Sequence, residues 1–302
     1  MKDATKGIVF TIISAFIFGF TPILARITYD GGSNPIMTTF LRSVLMLPVF
    51  VIILKRRGIP VLARGRNLVD LFFLGGFFSA LTTILLYMSY VYIPVGMATT
   101  LHFVYPVCVS LACVVFFKDR LNLPTLVALV ASTLGVFLFA GRMTAGSALG
   151  ILLAVASGFT FTFYIVYADK TSLKNNDNFK IAFYICLVTA LFAAVYGAAT
   201  GALTLALTPK AWFYAFLVSM FTSLGGVAML QLGIRYSGAT TASILSTFEP
   251  ITSVICGALI LGEALTLPKI VGCSCIVASV ILISVAGPGK AAKEIEQAPK
   301  VV

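Results

Sequence analysis

The stretch LHFVYPVCVSLACVVFFKDRLNLP at residues 101–124 returns, without a gap, as LSTFEPITSVICGALILGEALTLP at residues 245–268. Leu101 falls on Leu245, Pro106 on Pro250, Asp119 on Glu263, Leu121 on Leu265, Leu123 on Leu267 and Pro124 on Pro268. Shared apolar composition accounts for several of these matches, but not for prolines and an acid kept in one register. A duplicated unit does, and a repeat has to be settled first because missing it misassigns the whole fold.

Outward from this stretch the same register pairs Tyr92 with Tyr236 and Ala98 with Ala242, and runs on to Leu138 over Leu282. Near the start of each unit an offset one residue smaller pairs Gly7 with Gly150, Ser14 with Ser157, Phe16 with Phe159, Phe18 with Phe161 and Phe20 with Phe163. The sequence that carries these anchors is 60% hydrophobic and 10% charged, with a mean hydropathy of +1.06. A soluble domain needs about 25% charged residues to cover its surface. The apolar residues form ten runs, at 7–28, 35–54, 68–90, 95–117, 122–141, 147–168, 179–200, 211–233, 238–262 and 267–286. Each is about as long as the ~20 residues a helix needs to cross a bilayer. Backbone amides in hydrocarbon must be satisfied within the segment, so the runs are expected to be helices, and the alternating pattern of a membrane barrel is absent. The expected fold is an all-α membrane protein of ten transmembrane helices: five in residues 1–141, five in 142–286, then a disordered cytoplasmic tail at 287–302.

The net charge of +11 invites a nucleic-acid reading, which the positions of the charges oppose. With the N-terminus inside, the inner ends and loops hold Lys2, Lys6, Lys55, Arg56, Arg57, Arg64, Arg66, Lys118, Arg120, Lys170, Lys174, Lys180, Arg235, Lys290, Lys293 and Lys300. The outer side holds Arg142, Lys210 and Lys269. This positive-inside bias places both termini in the cytoplasm of a multi-pass inner-membrane protein, and the partner it implies is a lipid bilayer rather than nucleic acid. The first run is too long for a cleavable leader and no small-residue cleavage site follows it. Cys108, Cys113, Cys186, Cys256, Cys273 and Cys275 all fall within runs, which fits buried thiols and neither disulfides nor a metal site. No phosphate-cradling GxxxxGK[ST] motif occurs, so neither ATP hydrolysis nor a cofactor is expected.

Five spans per unit is an odd number, which forces the second copy into the membrane from the opposite face. Inverted repeats of this kind are typical of secondary transporters, whose two copies exchange roles and open a shared site to either side.

An ionisable group inside hydrocarbon is a functional candidate by default. Glu249 lies eleven residues into the ninth run, roughly 16 Å along a helix and so near the midplane. It precedes Pro250, which removes one backbone hydrogen bond, kinks the helix and frees a carbonyl beside the acid. An acid so placed suits a cationic group or a proton; equally, it suits a helix-locking role. Its counterpart in the first unit is Tyr105, before Pro106. His102, the sole histidine, sits one turn earlier and could titrate to couple protons, though packing explains a lone histidine too. Tyr87 and Gln231 superpose in the repeat register, and Tyr164 follows the Phe163 that matches Phe20. With Thr99 and Ser246 they complete the candidate substrate-lining set, against the plainer reading of Ser and Thr as interhelical glue. Arg42, one-third into the second run, is read as structural, tamed by snorkelling or a carbonyl. Asp119 and Glu263 are expected to cap or tether the helices that begin at Leu123 and Leu267. No catalytic or metal-binding residue is assigned.

From about Gly7 to Ala286 the chain resembles the EamA-type members of the drug/metabolite transporter superfamily. The likeness is carried by PVCVSLACVVFFKDRL (Pro106–Leu121), PITSVICGALILGEAL (Pro250–Leu265) and Arg42. Asp119 departs from the family's usual glutamate. The resemblance implies two five-span repeats and a cavity lined by spans one, three, four, six, eight and nine. It also implies a small-molecule cargo such as an amino acid, another metabolite, a nucleoside, a vitamin or a drug, moved outward more often than inward. An intramembrane enzyme acting on lipids is the rival of another class, and one histidine with few intramembrane carboxylates gives it little to work with. A channel and a membrane scaffold are the remaining alternatives, and the chain is compatible with a monomer or a homodimer.

Overall fold

The computed structural model describes residues 3–93, 95–119, 121–139, 148–261 and 265–286, and no strand occurs among them. Helix α1 (Asp3–Asp30) runs 28 residues, about 42 Å at helical rise. The Asn34 side chain accepts from the Met37 amide at 2.9 Å and starts α2 (Pro35–Val44). The helix breaks before Pro48 and resumes as α3 (Leu47–Arg56). Next come the short α4 (Arg66–Val69), a π-helical stretch Asp70–Phe77, and α5 (Phe78–Tyr92). Then follow α6 (Val95–His102), α7 (Tyr105–Phe117) and α8 (Leu123–Phe139).

The second half repeats the order. It opens with α9 (Ala148–Lys170) and α10 (Asn178–Thr200), the latter capped by Asp177. After α11 (Pro209–Val218) a second π-helical stretch, Ser219–Val227, leads into α12 (Ala228–Ser237). The half closes with α13 (Ala239–Ser246), α14 (Phe248–Leu261) and α15 (Leu267–Ala286). Among the described residues, seven helical segments are long and apolar enough to cross a membrane: 35–56, 66–89, 98–117, 148–170, 178–200, 209–237 and 267–285. Shorter apolar helices occupy 5–21 and 123–138. Large apolar side chains on their outer faces, such as Phe116, Leu134, Phe137, Leu152 and Val285, are exposed, as lipid-facing positions must be. The chain is a multi-pass, all-helical membrane protein.

The packing is reciprocal. Helix α1 lies against α12, α13 and α14 of the second half, and α9 lies against α5, α6 and α7 of the first. Each half has thus lodged its first helix in the other. Small residues allow the approach: a Cβ on Gly7 would stand 2.8 Å from Ser237 Cβ, and one on Gly150 would stand 2.8 Å from Tyr92 Cβ. Two further pairs are self-matched, α8 with α15 and α10 with α2. At the first of these a Cβ on Gly135 would meet the Gly272 carbonyl oxygen at 2.8 Å.

One expectation is refined and one corrected. The runs 95–117 and 238–262 are each interrupted inside the expected span, at Phe103–Val104 and at Thr247, so that each is built of two helices. Asp119 does not cap α8: Asn122 does, its Oδ1 accepting from the Thr125 amide at 2.8 Å, while Asp119 bonds Lys170. Asx side chains reach the N2 or N3 amide only from the position next to the helix, and Asp119 is too far upstream. Glu263 and the tail 287–302 lie outside the described residues.

Candidate functional site at the two helix breaks

Both breaks follow from proline. A proline lacks the N–H that would bond the carbonyl four residues back, and its ring collides with that carbonyl. For Pro106 the abandoned carbonyl is that of His102, the last residue of α6; for Pro250 it is that of Ser246, the last of α13. The chain turns through tighter bonds instead, Val104 N to Leu101 O at 3.3 Å and Thr247 N to Ile244 O at 3.1 Å.

Glycines bring the swapped helices onto these breaks. A Cβ on Gly158 of α9 would stand 2.7 Å from the His102 carbonyl oxygen, and one on Gly19 of α1 would overlap the Glu249 carbonyl oxygen. The Ser253 hydroxyl donates to the Gly19 carbonyl at 2.8 Å. The breaks also meet each other, since α7 packs on α13 and the Tyr105 hydroxyl bonds the Ser246 side chain. Residues that the repeat register makes equivalent, Tyr105 and Glu249, are thereby brought within electrostatic reach of each other.

Around this point the polar groups are arranged in pairs. His102 is buried, its ring among Phe103, Tyr105 and Phe161 with centroids 5.3–6.0 Å away. Its Nδ1 lies 2.9 Å from Ser157 Oγ, and the Ser157 hydroxyl lies 2.6 Å from the Ala154 carbonyl, which can only accept. The serine proton belongs to that carbonyl, so Nδ1 of His102 carries a proton and donates. Tyr164 and Gln231 are both buried, and the Gln231 amide donates to the Tyr164 hydroxyl. Thr82 and Thr160 share a bond at 2.8 Å, as do Thr21 and Thr222 at 3.0 Å. Tyr87 accepts from Arg42 Nη1 at 3.2 Å. Ser246 is buried and donates to Ala242 O at 2.9 Å. Thr99 and Glu249 are half-buried.

Of the expected residues, His102, Ser246 and Glu249 thus share the crossing of the two breaks, with Pro106 and Pro250 creating it and Thr99 one turn before. Tyr164 with Gln231 and Tyr87 with Arg42 form separate pairs. Sequence reading passed over Ser219, Thr222 and Ser223, three hydroxyls at helical spacing in an apolar run. That stripe was the available signal.

The end of the bundle that carries Arg57, Lys170 and Lys174, the basic end, is tied by ion pairs. Asp119 at the end of α7 meets Lys170 at 2.6 Å, Lys170 is 3.7 Å from Asp169, and Lys174 meets Asp169 at 2.9 Å. Arg57 reaches Asp177 at 3.3 Å and lies over the Phe179 ring at 4.5 Å. Two cavities of about 560 and 590 Å³ open at this end. The first is lined by Arg66, Asn67, Asp70 and Lys170 among others, the second by Pro60, Arg64 and Lys180 among others. None of the expected site residues borders either.

The EamA-like transporter family pattern matches residues 5–141 and again 148–285. The chain belongs to this family. Relatives cover nearly all of it: an uncharacterized transporter of Synechocystis is 26% identical over 92% of this chain and 93% of its own length. One of Archaeoglobus fulgidus is 25% identical over 90% and 93%. The uncharacterized transporter YcbK of Bacillus subtilis is 23% identical over 90% and 91%. A protein crystal structure superposes with a TM-score of 0.77 over 93% of this chain and 98% of that one, at 15% identity, which speaks for the fold alone. The two family matches coincide with the two halves whose first helices are exchanged. Membership in the family points to a transporter role rather than an enzyme.

Proposed function

We propose that the protein is a secondary carrier that moves a small polar metabolite, an amino acid or related compound, across the cytoplasmic membrane by alternating access. In this reading ten spans form two inverted five-helix units, 1–141 and 142–286, with both termini cytoplasmic and the cargo held where the helix breaks cross. The observation that carries it is the reciprocal packing of α1 and α9 onto the opposite half's broken helix. A pair of equivalent contacts can be strengthened and weakened in turn, which is what exchanging access between two faces requires. Discontinuous helices also expose backbone carbonyls and side chains at mid-depth without leaving them to lipid. Glu249 is assigned the cationic group of the cargo or a coupling proton, with Ser246, Thr99 and His102 beside it. Tyr87, Tyr164 and Gln231 line its approaches. The ion pairs at the basic end would then close the cytoplasmic face. Export rather than import follows the family likeness alone.

The test is uptake and counterflow in proteoliposomes, using labelled amino acids with and without an imposed pH gradient. A carrier gives saturable uptake accelerated by the same solute inside. Uptake that neither saturates nor exchanges would favour a channel and end this reading.

A further inference from the structure

Arg42 on α2 is an incompletely satisfied charge inside the bundle. Two of its donors are engaged, Nη1 with the Tyr87 hydroxyl at 3.2 Å and Nη2 with Thr83 Oγ1 at 3.3 Å. Both are long beside the 2.7–2.9 Å usual when a guanidinium meets an anionic acceptor. The Nε atom is buried and has no hydrogen-bond partner. Among the described residues no carboxylate forms an ion pair with Arg42. Its side chain is nevertheless only half-buried, so an approach to it remains.

A cation left without a counter-charge in a low-dielectric interior is costly, and neutral hydroxyls offset only part of that cost. Structural arginines avoid this by taking a carboxylate or by reaching water. Among the described residues Arg42 takes no carboxylate and its Nε is shut away, and its backbone is fixed in place: Ser219 and Ser223, from the second π-helical stretch, donate to its carbonyl at 2.6 and 2.9 Å. The Tyr87 ring lies alongside, 5.8 Å from the guanidinium carbon. A pinned, under-bonded, planar cation with an aromatic wall is suited to a planar or tetrahedral oxyanion, which accepts two parallel N–H bonds at once.

A chain of contacts links it to the crossing of the helix breaks. Ser223 adjoins Thr222, which bonds Thr21, and Thr21 lies two residues along α1 from Gly19, the residue pressed on the Glu249 backbone. Arg42 and Glu249 are thus joined through α1 and the π-helical stretch, with an axial step of about 3 Å between Gly19 and Thr21.

We infer that Arg42, with Thr83 and Tyr87, is an oxyanion subsite for the cargo, so that the transported compound carries a carboxylate or a phosphate. The inference rests on the carrier reading and adds to it the charge of the substrate. A compound with an amine at Glu249 and a carboxylate at Arg42 engages both charges together.

The test uses thermal unfolding of the purified full chain in detergent. The probes are the twenty amino acids, their neutral amides, acetate and inorganic phosphate. At least one anion is expected to stabilise the wild type more than its neutral match, or more than chloride at equal ionic strength. Arg42→Gln should weaken that binding at least tenfold, and Arg42→Lys, which keeps the charge but loses the fork, should weaken it less. A phosphate response lost in Arg42→Gln would assign a phosphorylated cargo, a carboxylate response lost there a carboxylic acid. The inference is overturned if no anion exceeds its neutral match, or if Arg42→Gln binds as the wild type does. Should Arg42→Gln fail to fold, unchanged anion affinity in both Arg42→Lys and Tyr87→Phe overturns it as well. Saturable flux of neutral amides through wild type and Arg42→Gln alike would keep the carrier and discard the subsite. Anion binding without any saturable flux would do the reverse.

Discussion

The break between α6 and α7 and the break between α13 and α14 are one backbone device carrying two chemistries. In each, a proline ends the preceding helix four residues upstream, a small residue of the exchanged helix presses on the bared backbone, and the equivalent residues Tyr105 and Glu249 lie within electrostatic reach of each other. The side chains diverge. The first break is walled by His102, Phe103, Tyr105 and Phe161, neutral and aromatic, whereas the second offers Ser246, Thr247 and Glu249. The likeness of the backbones is what an alternating motion needs; the unlikeness of the side chains sets where charge is held. Polarity therefore concentrates on one side of an otherwise paired architecture.

If the chemistry is one-sided, removing the acid should do most harm. Glu249→Gln keeps shape and hydrogen bonding but removes the charge, and flux in proteoliposomes is expected to fall on the order of 100-fold, about 2.7 kcal/mol. Any stimulation of flux by a pH gradient should vanish with it. Tyr105→Glu added to Glu249→Gln should not restore flux. Restoration would mean that the two breaks are interchangeable, and normal transport by Glu249→Gln would take the acid out of the mechanism.

If the backbones are equivalent, crowding either one should cost alike. Gly19→Val and Gly158→Val both push a side chain into backbone carbonyl oxygen, an obstacle that cannot rotate away. Each is expected to cost about 1–3 kcal/mol of stability and to slow flux severalfold. Gly225→Ala is the control, since the nearest atom to its Cβ would be the end of the flexible Ile17 side chain at 3.1 Å, with backbone no nearer than 3.9 Å. A Gly158 variant as stable and active as the wild type, beside a crippled Gly19 variant, would refute the equivalence.

Much of this comparison was already legible in the sequence, and the remainder was hidden for physical reasons. Pro106, Pro250 and the acid after them are visible because proline and charge are rare in apolar runs and each has a definite structural meaning. Glu249 was singled out by its charge within an apolar run, its depth and the proline after it, and a kink at Pro250 was expected. That the runs 95–117 and 238–262 are each two helices was not legible, because hydropathy stays high across a break that bends the backbone without exposing it. Nor was the exchange of α1 and α9, since an apolar helix carries no periodic stripe to say which neighbours it meets. Partner choice was hidden too: Tyr87 and Gln231 share a register position, yet one bonds Arg42 and the other Tyr164. Arg42 was read as a prop because sequence shows that a charge is present but not that, among the described residues, no carboxylate meets it.

A smaller effect is expected at the basic end, where Lys170 joins Asp119 of the first half to Asp169 of the second. Lys170→Met takes that cation from the partly buried Asp119 and leaves the buried Asp169 to Lys174, a loss of about 1 kcal/mol because the Lys170–Asp119 pair is still touched by water. Its value as a test lies in access rather than stability. Cys113, one turn before the end of α7 and fully buried, should become reactive to a water-soluble maleimide severalfold faster, as read by peptide mapping. An unchanged rate would mean that these pairs do not hold that face shut.

The smallest change in flux is expected at Ser157. Ser157→Ala removes the acceptor of His102 Nδ1 and leaves a buried N–H without its partner, a penalty of about 1–3 kcal/mol that relaxation of the ring reduces. Because Ser157 only orients the ring, flux should fall less than threefold and its response to a pH gradient should be unaltered. His102→Ala separates the two roles a buried histidine can have. If the ring is packing between Tyr105 and Phe161, the variant loses stability and keeps its gradient response. If the ring relays protons, the gradient response goes while Ser157→Ala still retains it, and the first break would then hold chemistry of its own after all.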